Sequence, residues 1–147
     1  MSDVTIRPAR ESDQEMIKQM VRDEQLDPTN LNWPQFVVAE HDGQIVGIGQ
    51  VRPYPKCREL GSIVVKAEYR KKGVGALIIN TLLANETGVV YLESEAHNER
   101  YYARFGFERI PFWRAPMPLK AKAGMIKMMG LFMGFRMVVM RRPAPGG

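Results

Sequence analysis

The chain is poor in the residues that most often advertise chemistry. It has one cysteine, Cys57, and two histidines, His41 and His97. A single thiol cannot close an internal disulfide, which fits a reducing compartment, and Cys57 reads as a small packed side chain rather than a nucleophile. No metal is expected. Long apolar runs are also missing: the longest charge-free stretch of the methionine-rich tail, Met128 to Phe135, is far too short to cross a bilayer. Met1 leads into a polar, acidic start rather than a basic and then apolar one, so no secretory leader is read and a cytoplasmic location is expected. Low-complexity tracts are absent, and 45% hydrophobic with 25% charged residues is ordinary for a globular chain. At 147 residues, one domain with a real core is expected over 1–147.

Acidic residues run short in one region. Residues 1–99 carry 11 Lys/Arg and 15 Asp/Glu, whereas 100–147 carry 10 Lys/Arg against Glu108 alone. The overall +5 therefore hides a C-terminal third of net charge +9. Such a split suggests an anionic partner: a polyanionic ligand, a membrane surface or nucleic acid. The plainer alternative is a solvated basic face. Nucleic acid ranks last, because the cations of 100–142 are scattered and the aromatics near them are wanted for the core.

The patterning predicts a mixed order of elements. "VTIRPAR" (4–10) reads as an opening strand. "SDQE" (12–15) is a Ser-x-x-Glu capping box ahead of Met16, Ile17, Met20 and Val21, which share one helical face. "FVVAEHDGQIVGIGQVR" (36–52) is a hairpin about Asp42-Gly43, and "CRELGSIVVK" (57–66) a further strand. Val74, Leu77, Ile78, Ile79, Leu82 and Leu83 keep helical spacing up to the stop at Gly88. "VVYLES" (89–94) reads as a buried strand and "HNERYYARFGF" (97–107) as a short helix closing at Gly106. The order β-α-β-β-β-α-β-α-β makes this an α/β or α+β chain with a mixed sheet. Residues 119–130 are expected to form a short helix or loop, and 135–141 a last strand beside the 89–93 strand.

The sharpest local signal is "EYRKKGVGALIIN" (68–80). A glycine opening a helix costs roughly 1 kcal/mol against alanine, and here Gly73 and Gly75 do so behind Arg70, Lys71 and Lys72. A strand entering such a turn and then a helix suits an anion. The first helical N–H groups lack internal partners, the helix dipole is positive there, and no Cβ blocks approach of a phosphate. A diphosphate is the physical expectation. The Walker A pattern is absent, and Gly-x-Gly-x-x-Gly fails because position 78 is Ile.

The wider stretch "IVVKAEYRKKGVGALI" resembles the acetyl-CoA signature of the Gcn5-related N-acetyltransferases, with Arg70, Gly73 and Gly75 at its fixed positions. "YYARFGFERI" resembles that family's later Tyr-x-x-x-Gly-Phe segment through Tyr102, Gly106 and Phe107. "IRPARESDQEMI" and the 36–51 hairpin match its N-terminal half in order and spacing. The resemblance covers 3–110 and leaves 111–147 as a variable segment.

That resemblance implies a mostly antiparallel mixed sheet with flanking helices and a splayed pair of central parallel strands, 59–65 and 89–93. Backbone groups of Ile63, Val64 and Val65 would pair with the pantetheine arm of acetyl-CoA. The loop from Arg70 through Lys71, Lys72, Gly73, Val74, Gly75 and Ala76 would hold its pyrophosphate. Tyr102 falls where the family places the acid near the departing sulfur, with a half-buried packing residue as the alternative, and Tyr101 should face elsewhere. Glu59 is the first choice for the base that deprotonates the attacking amine, with Glu93, Glu95 or a water in reserve. One departure is that Glu95 stands seven residues before Tyr102, where many members carry Asn. The implied activity is acetyl transfer to a primary amine of a small molecule or amino acid. Acetylation of a protein N-terminus or lysine, and a non-catalytic CoA-binding module, are the alternatives. A homodimer is compatible with the sequence. The methionines of 117–133 would either cover the acceptor side of the cleft or simply pack under the sheet.

Overall fold

Two residues set the first hairpin. Asp42 (φ 51°) and Gly43 (φ 76°) both take positive φ, the two-residue turn whose twist suits antiparallel strands. They join β2 (Phe36–His41) to β3 (Gln44–Pro53), which pair from Phe36 opposite Gln50 to His41 opposite Gln44, with a register shift at Ala39/Glu40. The computed structural model describes residues 3–146. The chain divides into two compact units, one comprising the chain up to Arg52 with Leu60–Asn85, the other Pro53–Glu59 with Glu86 onward.

In the first unit, β1 (Thr5–Pro8) runs antiparallel to β2. Helix α1 (Gln14–Asp23) presents Ile17, Met20 and Val21 to Phe36, Val38, Ile48 and Val64. Each side chain so buried stabilises by about 1.5–3 kcal/mol. Met16 is turned outward, contrary to the expected face. The expected Ser12–Glu15 capping box is also displaced. A 3-10 turn over Glu11–Asp13 precedes α1, and the Asp13 carboxylate accepts the Arg10 N–H (2.7 Å) while pairing with Arg7 (2.8 Å). That pairing holds the Asp13 carboxyl below its usual range. Helix α2 (Val74–Ala84) buries Val74, Ile78, Ile79, Leu82 and Leu83. It can approach β3 closely because position 49 has no side chain: a Cβ there would lie 2.6 Å from Ile78 Cγ2.

In the second unit, the start of β4 (Arg58–Val65) runs parallel to β5 (Val90–Glu95), with Glu59 opposite Tyr91. Strand β7 (Met137–Arg142) pairs antiparallel with β5 on one side and with β6 (Glu108–Ile110) on the other. Helix α3 (Glu99–Ala103) follows β5, and α4 (Leu119–Met133) separates β6 from β7. Leu119 and Ala123 of α4 pack with Cys57, Ala115 and Val139. Burial, with Glu59 nearby, pushes the Cys57 thiol up, as suits a packed rather than reactive group.

The seven strands follow the order β1-β2-β3-β4-β5-β7-β6, mostly antiparallel with one parallel pair and flanking helices, the expected fold class. The last strand does pair beside β5, as expected, but the short β6 was not anticipated and occupies the edge. The tail helix is also longer than expected, reaching Met133 before Gly134 (φ 82°) ends it. Among the described residues no helix is long and apolar enough to cross a membrane.

Candidate active site

In the first unit the site begins with a kink inside β4. Ser62 takes φ 54°, a left-handed conformation uncommon for a non-glycine strand residue, and is buried. Its hydroxyl accepts hydrogen bonds from Gln50 Nε2 and Arg52 Nη2, each at 2.9 Å. Two buried side chains of β3 thus hold the turn that aims the next three residues, Ile63, Val64 and Val65. Those three line a cavity of about 240 Å³ with Glu24, Leu26 and Arg70.

The loop beyond β4 carries two residues at positive φ. Lys71 takes φ 62° and Gly73 φ 86°, so the chain turns sharply into α2, and a Cβ on Gly73 would meet nothing within 4 Å. Leu77 N–H bonds back to Gly73 O at 3.0 Å, which leaves the N–H groups of Val74, Gly75 and Ala76 ahead of the first helical bond. The side chains of Lys71 and Lys72 are exposed. Arg70 behaves differently. Its guanidinium donates to the Val65 carbonyl (2.9 Å) and pairs with Glu24, so its charge serves first to tie the loop to β4 and the end of α1.

In the second unit, Glu59 is almost fully buried at 2% exposure. Lys122 Nζ of α4 lies 3.2 Å from its Oε1, and Tyr54 donates its hydroxyl to the same oxygen at 3.2 Å. Glu93, two residues beyond Tyr91 on β5, instead lines a cavity of about 350 Å³ with Arg109, Phe112, Trp113 and Lys127. Glu95 is exposed and sits 3.2 Å from His97 Nδ1. The structure therefore separates the three carboxylates by environment: one buried and paired, one at a cavity, one in solvent.

Tyr102 is half-buried on α3, its ring edge-on to Phe107. Burial, with Tyr101 adding to it, pushes its hydroxyl up to about 12. The Tyr101 ring packs edge-on against Tyr102 at 5.2 Å and against Phe105 at 5.3 Å, with the Arg104 guanidinium 5.4 Å over it. Met125, Met128 and Met129 are exposed rather than packed under the sheet, whereas Met137 lines the 350 Å³ cavity and Met140 is buried.

Strand, positive-φ turn and helix follow one another directly here. Residues 32–109 match the acetyltransferase (GNAT) domain model, so the chain belongs to the GNAT family. An uncharacterized N-acetyltransferase of Chlorobaculum tepidum is 32% identical over 78 residues, 51% of this chain. The chain spans about half the length of that relative, the match covering 50% of it. Two solved structures share the fold at a TM-score of 0.75. N-acetylglutamate synthase of Neisseria gonorrhoeae, complexed with coenzyme A and N-acetyl-glutamate, is 18% identical; the similarity covers 96% of this chain and 35% of that one. A Mycobacterium tuberculosis protein in complex with CoA is 20% identical, with 95% of this chain and 98% of that one covered.

Sequence reasoning missed the Ser62 kink with its Gln50 and Arg52 clamp, because a serine inside a β-rich run carries no mark of left-handed backbone. It also missed Glu24 as the partner of Arg70 and Lys122 as the partner of Glu59.

Proposed function

We propose that the chain, as a single N-acetyltransferase domain over 1–147, transfers the acetyl group of acetyl-CoA to the primary amine of a small molecule or amino acid. The observation that carries this is the β4–loop–α2 geometry, in which Gly73 opens α2 at φ 86° with space where a side chain would be. The free N–H groups of Val74, Gly75 and Ala76, with Lys71 and Lys72, would hold the pyrophosphate. Ile63, Val64 and Val65 would carry the pantetheine, and Arg70 would brace the loop.

The amine nitrogen attacks the thioester carbonyl carbon, the C–N bond forms, and the C–S bond breaks as CoA leaves as a thiolate. The acceptor's ammonium must first lose a proton. Glu59 is assigned to that step, with Glu93 as the alternative because it lines a cavity. Tyr102 would hydrogen-bond the departing sulfur. Burial raises its hydroxyl to about 12, so it stays protonated at neutral pH and can donate to the thiolate as that leaves.

Thiol release from acetyl-CoA tests this directly, using amino acids, simple amines and peptides with free N-termini or lysines. Acceleration by small amines is expected. Release only with peptides would move the assignment to protein acetylation. CoA binding by calorimetry, with no amine supporting release, would make the chain a non-catalytic CoA-binding module.

A further inference from the structure

The end of α4 is built unlike any other helix of this chain. Met128, Met129, Leu131, Phe132 and Met133 are all exposed, Leu131 at 82% and Phe132 at 86%. At 100° per residue these five spread over roughly 200° of the helix circumference. Gly130 is the buried member of this turn, where a Cβ would lie 2.4 Å from the Phe135 carbonyl oxygen. A helix docking on a flat protein face buries one stripe, about 100–140° wide. An apolar end exposed over more than half its circumference instead suits a medium that can close around it.

The surrounding charge points the same way. Arg114, Lys120, Lys127 and Arg136 are exposed along the same stretch, and from Arg109 to Gly147 the sequence contains no acidic residue. Lys127 lies 5.0 Å over the Phe112 ring, and Trp113, packed edge-on to Phe112, is 59% exposed beside it. Apolar side chains with an aromatic ring and flanking cations are the makings of an interfacial segment on anionic lipid. A second copy of the chain would bring another cationic surface against this one, which disfavours it. The helix holds 15 residues, about 22 Å at 1.5 Å each, short of a roughly 30 Å hydrocarbon core, so it would dip into the interface rather than span.

We propose that the C-terminal half of α4, with Trp113 and the flanking cations, docks this protein on the surface of an anionic lipid bilayer. Leu131 and Phe132 enter the acyl boundary while Lys127 and Arg136 remain among the headgroups. The proposal is independent of the acyl acceptor.

Flotation of the full chain with vesicles tests it. The expected result is recovery with vesicles of mixed phosphatidylcholine and phosphatidylglycerol, little with phosphatidylcholine alone, and a blue shift of Trp113 emission on binding. Leu131→Ser with Phe132→Ser should lower the partition coefficient about tenfold or more. Arg114→Gln and Arg136→Gln should lower it roughly fivefold each at low salt. Because all four side chains are exposed, thermal unfolding and acetyl-CoA affinity of these variants should match the parent. Absence of flotation at low salt, equal recovery with the neutral vesicles, or undiminished recovery of the Leu131/Phe132 variant would each overturn the proposal. So would sedimentation showing a dimer that the Leu131/Phe132 variant dissociates, since the face would then be covered by a second copy.

Discussion

Lys122 Nζ sits 3.2 Å from Glu59 Oε1 and 3.4 Å from its Oε2, an ammonium centred on a carboxylate that is only 2% exposed. The lysine comes from α4 and the glutamate from β4, 63 residues earlier. A segment expected only as a short helix or loop over 119–130 therefore brings a charge to the residue proposed as base. Lys122 also stands where the ammonium of an acceptor would stand if Glu59 is to deprotonate it.

Removing either partner should be costly, and removing both less so. Lys122→Met alone leaves a buried carboxylate short of a cation and should destabilise by about 2–4 kcal/mol. Combined with Glu59→Gln, the loss should fall short of the sum by about 1–3 kcal/mol, read from denaturant midpoints of the four proteins. Strict additivity would mean that the pair is not coupled. In activity assays Glu59→Gln should lose most at low pH, where the amine is most protonated, and a uniform loss would favour substrate binding. If Glu93→Gln rather than Glu59→Gln shows the steeper low-pH loss, the base is the residue at the cavity.

Gly73→Asp should keep the fold near that of the parent yet abolish most acetyl-CoA binding. Space exists for the side chain, and the left-handed backbone costs about 1 kcal/mol, which aspartate tolerates better than most residues. Its negative charge would occupy the place proposed for the pyrophosphate. Calorimetry giving an unchanged acetyl-CoA affinity for the folded variant would remove the loop from the binding site.

Tyr102→Phe should retain acetyl-CoA affinity while turnover drops by roughly 10²-fold, within the range for a group active in proton transfer or its hydrogen-bonded equivalent. The hydroxyl is also a stability term in alkali. With the folded value raised from 10 to about 12, the native state holds its proton between those values while the unfolded chain has lost it. Stability is then unaffected by this group below about pH 10 and declines as pH rises from there towards 12. In the Phe variant that part of the decline should vanish from melts followed between pH 9 and 12. An ultraviolet titration showing Tyr102 ionised near pH 10 in the folded chain would contradict this.

Ser62→Gly should be better tolerated than Ser62→Val. Glycine accepts φ 54° without strain but leaves the two side-chain donors of Gln50 and Arg52 short of an oxygen, a loss of about 1–3 kcal/mol. Valine adds backbone strain and bulk in a buried position. Equal stability of the two variants, by thermal melts, would show that the kink is not held by its clamp.

The loop at 70–76 could be read from the sequence because glycine at a helix start signals positive φ, and Gly73 has it. The hairpin at Asp42-Gly43 and the buried faces of α1 and α2 followed from turn chemistry and periodicity in the same way. What escaped was long-range or locally unmarked. Strand β6 has three residues, two of them charged and exposed, so no alternation betrays it. Glu24 meets Arg70 across 46 residues, and Lys122 meets Glu59 across 63, which spacing along the chain does not encode. Met125, Met128 and Met129 have the composition of core filler, and only the structure sets them in solvent.

The position of β7 between β5 and β6 sets an order of events for the nascent chain. Strand β6 is synthesised some 30 residues before the strand it pairs with, and Val90–Glu95 more than 40 before. Until Met137–Arg142 arrives, the second unit can form its helices but has a gap in its sheet. Closing that gap joins segments far apart in sequence, a step whose loop entropy must be met before the pairing is rewarded. During synthesis the edge of β5 would stay open to foreign strands, so this half of the molecule should depend most on slow translation or chaperone cover, and a ribosome stalled before Met137 should expose it.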